Sequence, residues 1–273
     1  MKNPLTPKWL ETASDLSALD ARIWPRTAGR TERGEISIGS IPASELVRQF
    51  GTPLYVVDQE DFEARLMMAK RAFSDAASKI GTTAKTYYAS KALLTTDVVR
   101  WVDQADLAID VSTGGELAVA LAAGIDGSRI GMHGNNKSLV EIGRAVSANV
   151  GAIVIDSELE IERIASIAGA QDKIQPVRLR VNTGVHAHTH EYLATAREDQ
   201  KFGIALVDVE EMVEKIRSHS HLKFLGLHSH IGSQIFVVDG FLAAAERLLD
   251  VHAKLLINGE VPELNLGGGF GIS

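Results

Sequence analysis

Thr86-Tyr87-Tyr88-Ala89-Ser90-Lys91-Ala92 sets an apolar, aromatic segment directly against a lysine. Residues 86–89 predict a buried strand: aromatic and β-branched side chains suit a pleated surface, and Gly81 with Thr82-Thr83 bounds them upstream. A helical pattern opens soon after, at Thr95-Thr96-Asp97. An amine at the mouth of an apolar strand is expected to lose hydration. That disfavours the ammonium and leaves a nucleophile for carbonyl chemistry. Equally, Lys91 could lie just past the strand with its head in water. The heptapeptide leaves both readings open.

Working outward, the same unit repeats. Apolar strands are readable at residues 107–111, 130–133, 152–156, 176–181, 224–230 and 264–268, with helical stretches between them. Ser138-x-x-Glu141, Ser157-x-x-Glu160 and Asp208-x-x-Glu211 are expected to cap three of those helices. Strands alternating with helices imply a parallel sheet with crossover helices. Seven such units from the lysine strand onward favour a (β/α)8 TIM-type barrel over a doubly wound sheet. An eighth strand is missing by Ser273, so the barrel is expected to be incomplete at its C-terminal end. The spacing is regular except for an insertion at residues 183–202, where active-site loops of such barrels lie.

Upstream, residues 53–58 predict one more strand, and Phe62, Leu66, Ala69, Phe73 and Ala77 recur on one helical face. Residues 1–50 lack this rhythm. They predict an arm, a short strand at 35–39, and a helix at 42–50 closed by Gly51. The expected division is therefore an N-terminal piece of a second β domain, 1–50, and the barrel, 51–273.

Polar residues gather at the C-terminal ends of the strands, where a barrel needs them. They are Lys91; Asp110 with Glu116; His133-Gly134-Asn135-Asn136-Lys137; Asp156; Arg180 and Asn182; His228-Ser229-His230; and Gly267-Gly268-Gly269. The glycine run lets backbone N–H groups approach an anion, and Ser233 could add a hydroxyl. Either could also be an ordinary turn. His228 and His230 share one face of their strand. They could hold a metal, lie flat against an aromatic cofactor, or simply be core histidines. No cysteine and no ligand-like aspartate spacing supports the metal, and none is expected. His186, His188 and His190 read as a polar loop crowded by Glu191, Arg197, Glu198 and Asp199. Arg180, inside an apolar strand, needs a partner, and Asp156 is a candidate. A lysine for an aldehyde, glycines and a hydroxyl for a phosphate, and a flat ring partner together point to pyridoxal 5'-phosphate.

The bulk numbers agree. Of 273 residues, 45% are hydrophobic and 23% charged, as in globular proteins. Lys+Arg 28 against Asp+Glu 35 gives a net charge of −7, which argues against nucleic acid and anionic membrane partners. The absence of cysteine rules out disulfides, and the N-terminus shows no secretory h-region, so a cytoplasmic protein is expected.

At these residues the chain resembles the alanine-racemase-type (fold type III) pyridoxal-phosphate decarboxylases. The matching pieces are Gly51-Thr52-Pro53-Leu54-Tyr55-Val56-Val57-Asp58, Tyr88-Ala89-Ser90-Lys91-Ala92 and His133-Gly134-Asn135-Asn136-Lys137. Beyond them come His188-Thr189-His190-Glu191, Glu198-Asp199-Gln200-Lys201-Phe202-Gly203, Gly226-Leu227-His228-Ser229-His230-Ile231-Gly232-Ser233-Gln234 and Leu266-Gly267-Gly268-Gly269. The resemblance runs from about Ile23 onward. It implies decarboxylation of meso-2,6-diaminopimelate to L-lysine and CO2, with an ornithine- or arginine-type decarboxylase or a non-catalytic relative as alternatives. Lys91 would form the Schiff base and His230 would stack on the pyridine ring. Ser233, Gly268 and Gly269 would hold the phosphate, and Asp110, Glu116 and Arg180 would line the pocket, with His133 shaping it. Ser229 stands where many relatives have cysteine, and is expected to point away from the His228/His230 face. The family also implies a homodimer whose active site is shared across the interface. Its Glu-Pro-Gly-Arg strand end and Cys-Glu-Ser motif do not occur by Ser273, so activity of this segment alone is in question.

Overall fold

The computed structural model describes residue 15, residues 17–185 and residues 202–272. Its contacts divide into two units, one running through Arg65 and the other Leu66–Ile272. The division falls later than the boundary expected after residue 50, inside a helix that begins at Gln59.

In the first unit, β1 (Gly29–Arg30), β2 (Ile36–Ile38) and β3 (Ile41–Pro42) form a three-stranded antiparallel sheet. Helix α1 (Ala43–Phe50) follows and stops at Gly51, whose φ of 79° only glycine adopts cheaply and whose N–H bonds Val47 O at 2.8 Å. The strand expected at 53–58 does not form. A strand exists only as part of a ladder, and no described segment pairs with these residues. Leu54, Tyr55, Val56 and Val57 are exposed, Tyr55 to 98%. Asp58 then caps α2 (Gln59–Lys79), accepting from the Asp61 N–H at 3.1 Å.

The second unit contains the expected repeat. In chain order it runs β4 (Tyr87–Ala89), α3 (Thr96–Gln104), β5 (Ala108–Val111), α4 (Gly114–Ala123), β6 (Ile130–Met132), α5 (Leu139–Ser147), β7 (Ala152–Ile155), α6 (Glu158–Ala170) and β8 (Gln175–Asn182). Then come β9 (Ile204–Ala205), α7 (Val209–Ser218), β10 (Leu222–His228), α8 (Asp239–Leu255) and β11 (Glu263–Asn265). The sheet order is β4-β5-β6-β7-β8-β10-β11, every neighbour parallel, with the short β9 on the end of β8. Each of the seven strands expected from the lysine strand onward is present.

The sheet is curled. Neighbouring strands lie ~4.8 Å apart, so β8 and β4, four steps apart, would be separated by ~19 Å if flat. Yet Arg178 on β8 donates to the Tyr87 hydroxyl on β4 at 3.0 Å. It also holds Glu263 on β11, through Nε at 2.8 Å and Nη2 at 2.6 Å. One side chain thus spans the interior from the first strand to the last, as in a barrel that lacks closure between β11 and β4. Glycines make room: a Cβ at Gly131 would stand 2.5 Å from Asp110 Oδ1, and one at Gly226 would stand 1.8 Å from Glu263 O.

Outside this ring the core is aliphatic. Val98, Val99 and Val102 of α3, Ile142 and Val146 of α5, and Ile161 and Ile164 of α6 are fully or almost fully buried, with strand residues such as Ile109, Ile130, Ile153 and Leu179. Each such side chain contributes about 1.5–3 kcal/mol on burial. This layer fixes where the strand ends point.

Caps set the helix starts. Ser138 and Glu141 form the expected capping box. Thr113 and Glu116 form another that the sequence reading missed. Ser157 makes no side-chain cap bond; the Glu160 N–H bonds Ser157 O at 3.1 Å, and the Glu160 side chain turns inward to a buried lysine instead of back to the cap. Asp208 makes none either, because a 3₁₀ turn, Leu206–Asp208, leads straight into α7 and leaves Asp208 with helical dihedrals. Among the described residues no helix is long and apolar enough to cross a membrane.

Candidate active site

Side chains on a strand alternate between faces, so Arg178 fixes which residues face the interior. On β8 its face-mates are Arg180 and Asn182; on β10 and beyond, the same alternation brings in His228 and His230. Their contacts agree. The His133 and His228 rings meet edge to face with centroids 4.9 Å apart. His228 Nδ1 lies 3.1 Å from Asn265 Oδ1. His133 Nε2 lies 3.1 Å from Asp110 Oδ1. That pair lacks hydrogen-bond alignment, and both atoms are buried and otherwise unpartnered among the described residues. Five strands therefore deliver polar groups to one end of the curled sheet.

Lys91 leaves β4 on a short 3₁₀ turn, Ser90–Ala92. It is exposed, the second of the two readings that the heptapeptide leaves open. The strand ends before the lysine, and the turn carries it out. What the strand supplies is position: Ala89 is in register with Asp110.

The loops after β10 and β11 are tied together. The Ile235 N–H bonds Gly269 O at 2.9 Å, and the Gly271 N–H bonds Ile235 O at 2.9 Å. Ser233 sits in this tied turn, between Gly232 and Gln234. Gly267 and Gly269 have φ of 70° and 108°. A Cβ on Gly269 would lie 1.9 Å from Gly232 O and 3.3 Å from the His230 Cε1. Gly269, Ser233 and His230 are thus brought together.

His230 is half-buried, and its pKa is held down at about 4. Burial is the largest cause, followed by the positive charges of Lys91 and Arg180 and by His133. At neutral pH it is an uncharged flat ring. His228 is pushed far below the ordinary imidazole range, first by burial and then by His133, with the Asn265 contact opposing.

Arg180 Nη1 reaches Asp156 Oδ1 at 3.3 Å, the ion pair expected between them, and its guanidinium lies over the Phe202 ring at 4.8 Å. Burial pushes the Asp156 carboxyl up, with Arg180 the foremost opposing charge. Gly203 packs on Arg180: its φ is 84°, and a Cβ there would come 3.0 Å from Arg180 O.

Glu116 does not need a ligand to explain it. Its Oε2 accepts from Ser112 N–H at 2.6 Å and Thr113 N–H at 3.1 Å, closing the cap of α4. Ser229 is buried, as a residue on the face opposite its histidine neighbours should be. His186, His188, His190, Glu191, Arg197, Glu198 and Asp199 lie outside the described residues. Two partners were not legible from the sequence: Asn265, which meets His228, and Glu160, read there only as a helix cap, which meets Lys137. An asparagine or glutamate in a helix–strand repeat carries no mark of a partner so distant in the chain.

Comparison with known proteins gives this arrangement a family. The description "Pyridoxal-dependent decarboxylase, pyridoxal binding domain" matches residues 65–273. The diaminopimelate decarboxylase of Mycobacterium tuberculosis (strain ATCC 25618 / H37Rv) is 44% identical over 268 residues, covering 95% of this chain and 58% of that protein. That of Bacillus subtilis (strain 168) is 38% identical over 252 residues, covering 90% and 56%. Among solved structures, diaminopimelate decarboxylase from M. jannaschii in co-complex with L-lysine superposes with a TM-score of 0.80 at 28% identity, covering 91% of this chain and 58% of that one. The chain thus spans little more than half the length of these relatives.

Proposed function

This chain belongs to the pyridoxal-dependent decarboxylases, and from that premise we propose that the protein converts meso-2,6-diaminopimelate to L-lysine and CO2, the last step of lysine biosynthesis. The observation that carries the reading is the gathering of Lys91, neutral His230 and the glycine turn at Gly269 at one end of the curled sheet. The relatives named above supply the substrate.

The residues fit pyridoxal 5'-phosphate. Any side chain at Gly269 would strike Gly232 O, so glycine is what lets these two backbone loops close beside His230, and the unpartnered Asp110 Oδ1 and His133 Nε2 offer buried polar atoms in the ring of strand ends. Lys91 would hold the group through Nζ, and His230 would lie against its ring. Ser233, Gly268 and Gly269 would hold its phosphate, with Asp110 and Arg180 lining the pocket. Glu116 supports that wall as the cap of α4. When bound, the cofactor accepts the electron pair left when the bond between Cα and its carboxylate breaks. The chain orients and shields. An uncharged His230 adds no further positive charge beside Lys91 and Arg180. Arg180, fixed by Asp156, supplies a stationary cation at the rim. A proton returns to Cα, so one substrate and one proton give one lysine and one CO2.

The same reading makes the protein a cytoplasmic homodimer whose site is shared between subunits, with a small amino acid as its substrate and neither nucleic acid nor membrane as partner. Its support is the resemblance over the barrel and, against nucleic acid, the net charge of −7. The test is lysine and CO2 release from meso-2,6-diaminopimelate by the full-length protein, beside a panel with ornithine and arginine. Lys91→Ala should abolish release. Preference for ornithine or arginine would replace the substrate, and turnover by Lys91→Ala at the parent rate would end the proposal.

A further inference from the structure

Lys137 and Glu160 form the most deeply buried ion pair among the described residues, their side chains 1% and 3% exposed and 2.9 Å apart. Neither has a part in the proposed chemistry. All three Lys137 ammonium protons are used: by Gly134 O at 2.6 Å, Val154 O at 2.7 Å and Glu160 Oε2 at 2.9 Å. Glu160 Oε2 also accepts the Asp156 N–H at 2.8 Å, and Oε1 takes the Lys137 N–H at 3.4 Å. The pair therefore joins the loop after β6, the end of β7, the loop after β7 and the first turn of α6.

We infer that this pair is a positioning device for Arg180, acting through Asp156. Taking two charges out of water costs several kcal/mol per ion, and a well-packed apolar pair of similar volume often serves stability as well or better. Stability alone gives no reason for charges here. What an apolar pair cannot supply is an oxygen shared between a fixed ammonium and the Asp156 N–H. That bond sets the Asp156 backbone, and the Asp156 carboxylate in turn holds Arg180 Nη1 at 3.3 Å. The chain of contacts runs Lys137, Glu160, Asp156, Arg180, and ends at the rim of the site. The inference rests on the proposed function for its consequence, but not for its geometry.

The test uses four variants of the full-length protein. Lys137→Met alone strands the Glu160 charge and is expected to fold poorly, so it does not serve. Lys137→Met/Glu160→Leu removes both charges and is expected to melt within a few degrees of the parent. Its affinity for pyridoxal 5'-phosphate should nevertheless fall by about tenfold, the scale of coupling through one hydrogen-bonded network. Lys137→Met/Glu160→Gln keeps an oxygen for the Asp156 N–H and should recover most of that loss. Adding Arg180→Met to the Leu double variant should cost nothing beyond Arg180→Met itself. A second readout needs no cofactor: the Arg180 guanidinium N–H signals in 15N NMR should be protected in the parent and the Gln variant, and exchange freely in the Leu variant. Unchanged affinity with unchanged Arg180 signals in the Leu variant would overturn the inference, as would full additivity with Arg180→Met. If the parent binds no pyridoxal 5'-phosphate, the proposed function falls, and the NMR comparison still decides this one.

Discussion

Arg178 and Arg180 leave the same face of β8 two residues apart, yet they meet different surroundings. Arg178, at the floor of the curled sheet, is almost wholly buried and engaged: Glu263 through two nitrogens, and the Tyr87 hydroxyl through Nη2. Arg180, one layer nearer the strand ends, has a single acidic partner among the described residues, at 3.3 Å, an aromatic face and more exposure. The floor arginine links the first strand to the last and so expresses curvature. The rim arginine is held by Asp156, and its charge acts on His230. In this barrel, depth along a strand separates groups that shape the sheet from groups at the strand ends, where the proposed site lies.

The support beneath the rim should be the most costly to break. Lys137→Met leaves Glu160 charged, buried and unpaired, and is expected to lose about 3–5 kcal/mol. Chemical denaturation checks this. A loss below about 1 kcal/mol would mean that water reaches Glu160.

Next comes the floor. Arg178→Met should cost less, about 1–3 kcal/mol, because Glu263 is 40% exposed and can turn to solvent. Its cofactor affinity should stay near that of the parent once measured where both are folded. A large loss of affinity at unchanged stability would erase the contrast between the two layers.

Arg180→Met should invert that pattern. The melting temperature should fall only modestly, because the Asp156 carboxyl, already pushed up by burial, can take a proton once its partner is gone, while pyridoxal 5'-phosphate binding weakens by about tenfold or more, as for a lost charge-assisted contact. Fluorescence titration beside a thermal melt separates the two.

The smallest effect is on pH. An unfolded histidine protonates near 6.5, whereas His230 resists until about 4, so the unfolded chain binds more protons between those values. Stability is present in full above about 6.5 and falls as pH drops towards about 4. His228, also held low, adds to the same slope. His230→Asn should flatten part of it in melts across that window. An unchanged slope would show that His230 is not the group responsible.

Most of this architecture was legible because each strand and helix carries its own period. The seven strands lie where residues 86–89 and their successors place them, to within a few residues. The failures share a cause. Residues 53–58 have a strand's composition but no strand partner among the described residues, and composition cannot supply a ladder. Ser157-x-x-Glu160 has the pattern of a capping box, but a buried ammonium outcompetes the cap for Glu160. Lys91 was open between burial and exposure, because the heptapeptide alone does not show that the strand ends before it. At the proposed site, strand-end position marked Lys91, Asp110, His133, Arg180 and His230, which the fold brings to one end of the sheet. The partners that hold some of them, such as Glu160, Asn265 and Glu263, lie far off in sequence and inside ordinary repeats, where only folding brings them near.

The most direct test is where pyridoxal 5'-phosphate attaches. The full-length protein is incubated with the cofactor, reduced with borohydride, digested and mapped by mass spectrometry. The account predicts a single modified peptide, carrying the adduct on the Lys91 Nζ. Modification of other lysines with Lys91 untouched, or none at all, would contradict it.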